Sequence, residues 1–128
     1  MITVYTGYIR PILEYGVPVF NAGLTINQCQ LLEHIQKRAC KIMLGNLYTT
    51  YEAALEMCSL QTLENRRKKL CLDFAKALEK NPLCNGWLPV KQNPNYSLRR
   101  KNKYRQFLCK TARFQNSALP YIVKLLNE

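Results

Sequence analysis

The stretch LLEHIQKRACKIMLG, from Leu31 to Gly45, divides into two sides when it is read as an α-helix. At 100° per residue, the apolar residues fall on one side and the basic residues on the other. The apolar side consists of Leu32, Ile35, Ala39, Ile42 and Met43, with Leu31 and Cys40 at its edges. The polar side consists of His34, Lys37, Arg38 and Lys41. This pattern is typical of an amphipathic helix that packs one side on a core and exposes a basic side.

The ends of this helix are also marked. Thr25 followed three residues later by Gln28 has the form of a capping box, and Gly45 stands where a helix-ending glycine belongs. We therefore expect a helix over about Thr25 to Leu44.

Three further helices are expected along the chain. A second capping box, Thr49 with Glu52, predicts a short helix to about Met57. The pattern over residues 62–80 predicts a long helix with a stripe of Leu63, Leu70, Phe74 and Leu78. Ser117 is expected to cap a last helix that has Pro120 in its first turn.

Arg67 lies within the apolar stripe of the long helix, about 40° from Leu63, and Arg66 lies near the other edge. A charged group on the core side of a helix needs a partner. We expect Arg67 to form an ion pair with an acid on a neighbouring helix, such as Glu33 or Glu56. The functional alternative is that Arg67 contacts a phosphate.

The remaining segments complete an all-α prediction. Residues 1–20 have helical spacing to about Tyr15, and an extended turn is expected at residues 21–23. We predict a bundle of about four to five helices with a long loop near residues 81–97, and the pattern allows a short hairpin within 103–115. The predicted organisation is a helical domain at 1–80, a linker at 81–97 and a basic segment at 98–128 that ends in a helix, together one compact unit.

The charge balance favours a polyanionic partner. The 128 residues carry 19 Lys and Arg against 8 acids, a formal charge of +11. Nucleic acid is the first expectation and an acidic membrane the second, with a merely soluble basic domain as the alternative. The candidate nucleic-acid-binding residues are Lys37, Arg38, Lys41, Lys68, Lys69, Arg99, Arg100, Lys101, Lys103 and Arg105. The last five belong to a basic segment over residues 98–113, with which Tyr96, Tyr104, Phe107 and Phe114 interleave. Such a mixture suits phosphate contacts combined with base stacking. The alternative is a solvated basic face, with Phe107 and Leu108 in the core.

The sequence lacks the patterns of a self-sufficient enzyme. The chain has one aspartate, Asp73, whereas two-metal phosphoryl transfer needs carboxylates that converge on a metal pair. The one histidine, His34, belongs to no recognised catalytic motif, and the six scattered cysteines lack metal-ligand spacing. We expect reduced thiols, no metal, no cofactor, no membrane span and no signal peptide, and hence an intracellular protein of the nucleus or cytoplasm.

Four blocks follow one another along the chain: YIRPILEYG at 8–16, LEHIQKRA at 32–39, LENRR at 63–67 and SALP at 117–120. Together they resemble the region behind the polymerase core of non-LTR retrotransposon reverse transcriptases, the LINE-type enzymes of jockey-like and CR1-like elements. YIRPILEYG at residues 8–16 resembles the family's Ile-Arg-Pro-x-Leu-Glu-Tyr-Gly block. LEHIQKRA at 32–39 with Gly45 resembles the next block, and LENRR at 63–67 with Leu70 and Phe74 the one after it. SALP at 117–120 and LN at 126–127 resemble the closing block. The blocks follow the family's order and cover nearly the whole chain.

The resemblance implies the thumb and post-thumb region of an RNA-directed DNA polymerase, which grips the template–primer duplex. The family's catalytic aspartates lie upstream, in the palm, and their motif is absent from this sequence. The leading hypothesis is therefore a non-catalytic C-terminal fragment that holds an RNA–DNA hybrid or a DNA duplex, with the upstream palm domain as a partner. The alternatives are a free-standing, sequence-independent nucleic-acid-binding module, or an inert remnant whose exposed apolar N-terminal segment marks a protein contact.

Overall fold

The structure is a computed structural model that describes residues 1–91 and 102–128. The all-α prediction is confirmed for these residues, since their regular elements are helices. Their one β pairing is an isolated antiparallel bridge between Lys91 and Tyr104. The hairpin allowed within 103–115 is wrong, because no two parts of this segment, which the structure describes in full, pair as strands: Tyr104 pairs with Lys91 outside it, and Ala112–Gln115 is helical. The Thr111 hydroxyl accepts from the Phe114 amide and starts that helical turn. No helix in the described ranges is both long and apolar enough to cross a membrane.

The first fourteen residues form a helical stretch with one wide segment. Helix α1 (Ile2–Val4) leads into a π-helical segment at Tyr5–Ile9, which is followed by α2 (Arg10–Glu14). Pro11 lies in the first turn of α2, where a missing N–H is tolerated. Gly16 then adopts a φ of 70°, a conformation that favours glycine, in the turn that follows α2.

A short helix, α3 (Val17–Phe20), and a 3₁₀ turn, Asn21–Gly23, connect this stretch to the next long helix. The extended turn expected at residues 21–23 is therefore wrong, since these residues are helical.

Helix α4 (Ile26–Leu44) has the ends that its sequence predicts. The Thr25 hydroxyl accepts from the Gln28 amide at 3.3 Å, and the Gln28 side-chain oxygen accepts from the Thr25 amide at 2.9 Å. Gly45 has a φ of 53° and ends the helix. The predicted capping box and the predicted stop are both confirmed.

The core side of α4 overlaps the predicted one only in part, since Leu32, Ala39 and Met43 are half-buried. The buried residues are Gln36 and Cys40, whereas Ile35 and Ile42 are 43% and 61% exposed. The prediction that Ile35 and Ile42 lie in the core is wrong. Gln36 can be buried because other residues satisfy both its side-chain oxygen and its nitrogen, as described below.

Helices α5 (Tyr51–Met57) and α6 (Leu63–Lys80) follow. Helix α5 begins one residue later than the capping box predicted, since the Thr50 hydroxyl, not that of Thr49, accepts from the Ala53 amide at 3.3 Å. In α6 the buried stripe consists of Leu63, Arg67, Cys71, Ala75 and Leu78. Phe74 is 38% exposed, so its predicted place in the core stripe is wrong.

The chain forms two compact units. The N-terminal unit consists of Met1–Val17 and Leu24–Lys68, and the C-terminal unit consists of Pro18–Gly23 and Lys69–Glu128. Buried residues of the N-terminal unit are Tyr5, Val17, Gln36, Cys40, Ala54, Leu55, Cys58, Leu63 and Arg67. The core of the C-terminal unit consists of Ala75, Leu78, Leu88, Tyr104, Ile122 and Val123. The predicted division into segments 1–80, 81–97 and 98–128 stays a prediction.

Two short elements complete the C-terminal unit, α7 (Ala112–Gln115) and α8 (Ala118–Asn127). Ser117 precedes α8 as expected, but its hydroxyl donates to the Phe114 carbonyl at 2.7 Å and caps no amide of α8. At the other end of α8, the Asn127 side chain accepts from the Tyr104 amide at 2.9 Å and donates to the Tyr104 carbonyl at 3.0 Å. These two bonds hold the segment around Tyr104 against the last helix.

Candidate nucleic-acid interface

Two candidate lysines on α4 lie over aromatic rings in the N-terminal unit. The Lys37 Nζ atom is 5.0 Å from the centroid of the Tyr51 ring, and the Lys41 Nζ atom is 5.3 Å from that of Tyr48. Both distances permit a cation–π attraction. The two lysines are one helical turn apart, so they project from the same side of α4. We call these four residues the lysine–tyrosine surface.

A buried polar network supports this surface from below. The Tyr51 hydroxyl donates to Glu33 and accepts from the Gln36 Nε2 atom at 3.0 Å. Gln36 also donates to the Gln61 carbonyl at 2.9 Å and accepts from the Tyr5 hydroxyl at 2.7 Å. Each polar atom of the Gln36 side chain therefore has a partner, which is what allows full burial. The network fixes the Tyr51 ring on which Lys37 rests.

The two tyrosines of this network titrate outside the ordinary range. Burial, together with the hydrogen bond to Glu33, raises the pKa of Tyr51. Burial also raises the pKa of Tyr5, to about 12. Both hydroxyls therefore stay protonated, and keep donating to their acceptors, at a more alkaline pH than an exposed tyrosine would.

Arg38 lies apart from the lysine–tyrosine surface. It is exposed, and it lines an apolar groove of about 220 Å³ on the N-terminal unit. The groove is formed by Met1, Val4, Tyr5, Ile9, Ile35, Arg38, Ala39, Ile42 and Met43. The predicted triad of Lys37, Arg38 and Lys41 is thus divided between two surroundings, one aromatic and one apolar.

The candidate residues on α6 are exposed, but one of them is engaged. Lys68 pairs with Glu64 at 2.8 Å, one turn away, and this bond holds the pKa of Glu64 below its ordinary value. Both partners are about three-fifths exposed, so the pair contributes little to stability. Lys69 is exposed on the same helix.

In the C-terminal unit, Lys103 forms a structural ion pair. It contacts Glu79, which also binds Lys91 at 3.4 Å and accepts from the Tyr104 hydroxyl at 3.1 Å. Arg105 is exposed. The candidates Arg99, Arg100 and Lys101 lie outside the described residues. Lys103 therefore supports the fold of this unit, while its role toward nucleic acid stays a prediction.

The carboxylate of Glu79 should make the C-terminal unit less stable at acidic pH than at neutral pH. The hydrogen bond from Lys103 is the main cause that holds the pKa of Glu79 below its ordinary value of 4.5. The stabilisation is therefore present above pH 4.5 and is lost as the pH falls through the lowered pKa. We expect Glu79→Gln to lower the melting temperature by a few degrees at pH 7 and by much less near pH 3.

Thermal unfolding followed by circular dichroism at both pH values would measure this. Glu56→Gln, which changes an exposed carboxylate in the other unit, is the matched control and should leave the melting temperature nearly unchanged. An equal loss for Glu79→Gln at both pH values would contradict the ion-pair assignment.

Arg67 is 2% exposed, as its place in the apolar stripe predicts. Its neighbour Arg66 pairs with Glu14, with the Nη2 and Oε2 atoms 2.8 Å apart, and this bond raises the pKa of Arg66. Glu33, one of the two predicted partners of Arg67, accepts from Tyr51 and from the Leu63 amide. Glu56, the other, is exposed. The pairing of Arg67 with either acid stays a prediction.

Sequence reasoning missed the two tyrosines that back the lysines. Tyr48 and Tyr51 follow α4 in the chain, and their hydroxyl-bearing rings could have been noted as aromatic residues next to a basic helix.

All six cysteines are free thiols, and Cys40, Cys58 and Cys71 are buried.

Three comparisons with known proteins bear on the identity of the chain. No protein-family model, no curated protein and no solved structure matches it.

Proposed function

We propose that this chain is a non-catalytic, thumb and post-thumb region of a LINE-type reverse transcriptase that holds template–primer nucleic acid without reading its sequence. The ordered blocks that resemble this family support the assignment to a polymerase. The formal charge of +11 supports a polyanionic partner. The lysine–tyrosine surface is the observation that carries the proposal, because it places two cations and two aromatic rings together.

The chemistry of this surface suits the backbone of a duplex. Lys37 and Lys41 are one turn apart, so their ammonium groups can meet phosphates of the same strand. A lysine ammonium is a point charge that binds any phosphate, and such contacts position a protein without specifying sequence. The Tyr48 and Tyr51 rings limit where the lysine side chains lie. Less conformational entropy is therefore lost when a phosphate is bound.

The double variant Lys37→Ala/Lys41→Ala should bind an RNA–DNA hybrid about 10- to 100-fold more weakly at low salt and should show a log–log salt slope that is smaller by about two. Fluorescence anisotropy of a labelled hybrid, measured from about 50 to about 300 mM salt, gives both quantities. The unchanged chain should bind hybrids of unrelated sequence equally.

The matched control is Lys76→Ala/Lys80→Ala, which removes the same charge at the same spacing from exposed positions on α6. It should lower the affinity much less. Equal losses in the two double variants would show that net charge alone governs binding. A flat salt response of the unchanged chain would exclude the proposed function.

A second candidate function, protein contact, is favoured by the apolar groove. Its lining residues Met1, Ile35 and Ile42 are 75%, 43% and 61% exposed, and exposed apolar patches mark interaction sites. The same anisotropy experiment separates the two functions. Absence of binding to any hybrid or duplex at low salt would leave protein contact as the better assignment.

A further inference from the structure

The C-terminal unit contains a second surface feature, a cleft of about 410 Å³. This volume lies within the range of small-molecule sites in proteins. Six of the residues that line it carry polar or aromatic side chains: Gln106, Phe107, Gln115, Asn116, Tyr121 and Lys124. None of its described lining residues is acidic.

Three of these side chains are carboxamides. Each offers a carbonyl acceptor and an NH₂ donor, so Gln106, Gln115 and Asn116 together present donors and acceptors in one place. A nucleobase edge also presents donors and acceptors side by side, and asparagine and glutamine can bond two such atoms at once. A purely apolar ligand would cover these amides without satisfying them, at a cost in affinity.

The aromatic part of the cleft is held in position. The Phe107 ring meets Phe114 edge to face, with centroids 5.9 Å apart and planes at 77°. The Tyr121 hydroxyl accepts from the Asn21 side chain at 3.4 Å. A planar base can stack on an aromatic ring, a contact that does not depend on the identity of the base.

Lys124 adds a cation to this neutral surface. It lies one turn after Tyr121 on α8, and it is exposed. A single flexible ammonium suits one phosphate group. We propose that the cleft binds one unpaired nucleobase through its carboxamides and aromatic rings, with the attached phosphate at Lys124.

Two sources could supply this ligand, a free nucleoside monophosphate or the unpaired end of a nucleic-acid strand. Only the second rests on the function proposed above. Binding of a monophosphate tests the cleft by itself, so failure of the cleft and failure of duplex binding can be told apart.

The test is a titration of the ¹⁵N-labelled chain with the monophosphates of adenosine, cytidine, guanosine and uridine, followed by NMR. We expect saturable shifts of the side-chain amide resonances of Gln106, Gln115 and Asn116 with at least one of them. Ribose 5-phosphate, which lacks the base, should cause no such shifts. Gln115→Ala should weaken binding about three- to tenfold, the effect of one lost hydrogen bond.

Lys124→Ala should weaken binding of the monophosphate but leave binding of the nucleoside, which lacks the phosphate, unchanged. The matched controls, Gln30→Ala and Lys76→Ala, change exposed residues of the same types outside the cleft and should titrate like the unchanged chain. The proposal is overturned if no monophosphate moves these resonances, or if Gln115→Ala and Lys124→Ala also titrate like the unchanged chain.

A duplex with a one-nucleotide overhang, compared with its blunt form, identifies the source. If the overhang duplex binds more tightly than the blunt duplex, and this difference disappears in Gln115→Ala, the ligand is a strand end. If the unchanged chain binds the two duplexes equally, the ligand is the free nucleotide. Lys37→Ala/Lys41→Ala should weaken binding of both duplexes but leave the monophosphate titration unchanged. If the chain binds duplexes but no monophosphate shifts the amide resonances, the proposed role of the lysine–tyrosine surface stands and the proposed role of the cleft is overturned.

Discussion

Replacing Gln36 by alanine is expected to lower the free energy of unfolding by about 3 kcal/mol. Gln36 is completely buried and bonds Tyr5, Tyr51 and the Gln61 carbonyl. Alanine leaves the hydroxyl of Tyr5, itself 2% exposed, without its acceptor and opens a cavity beside it. Both effects are destabilising, because the unfolded chain satisfies the same groups with water.

Urea unfolding followed by circular dichroism would measure this loss. Gln30→Ala, an exposed position on the same helix, should change the free energy of unfolding by no more than about 0.5 kcal/mol. Tyr5→Phe should reduce the further loss caused by Gln36→Ala, because the stranded hydroxyl is then absent. Stability unchanged in Gln36→Ala would refute the buried network.

Arg67→Ala is the second substitution with a large expected effect, a loss of about 3 kcal/mol in the free energy of unfolding. The Arg67 side chain is 2% exposed on α6, next to the buried Leu63 and Cys71 of the same stripe. Alanine removes a long buried side chain together with all of its contacts. Because the side chain is inaccessible, binding of nucleic acid by the folded variant should change by less than about twofold.

Melting temperature and hybrid binding, both measured on the same sample and with binding assayed well below the melting temperature, test this assignment. Lys76→Ala, which changes an exposed residue of the same helix outside the candidate binding set, serves as the control and should leave the melting temperature nearly unchanged. An unchanged melting temperature together with lost binding would instead assign Arg67 to a phosphate contact.

The ends of α4 could be predicted from the sequence because the interactions that determine them are local. Thr25 and Gln28 satisfy each other across three residues, and Gly45 adopts its positive φ at the position itself. Which side of α4 is buried depends on distant residues. Gln36 is buried because Tyr5, 31 residues earlier, and Gln61, 25 residues later, satisfy its side chain. Polarity alone therefore misplaced Ile35, Ile42 and Gln36, whereas Cys40 at the predicted edge is buried.

In the candidate site, too, the local features could be predicted from the sequence and the contacts between distant residues could not. That Lys37 and Lys41 share a side of α4 follows from their spacing. Tyr48 and Tyr51 can be noted as aromatic residues that follow α4 in the sequence. That their rings meet Lys37 and Lys41 could not be predicted, because these contacts depend on how the chain after Gly45 returns to α4. The engagement of Lys103 by Glu79 also joins residues far apart in the chain.

The wide segment Tyr5–Ile9 has a consequence for the angular phase of the first helical stretch. In a regular α-helix, Tyr5 and Glu14 would point about 180° apart. One extra residue in the wide turn retards the later residues by about 100°, which reduces that angle to about 80°. Tyr5 can then reach Gln36 while Glu14 reaches Arg66. The segment therefore sets the angle between the side chains of Tyr5 and Glu14, which make these two contacts. The number of residues within it matters more than their identity, because each inserted or deleted residue would change that angle by about 100°.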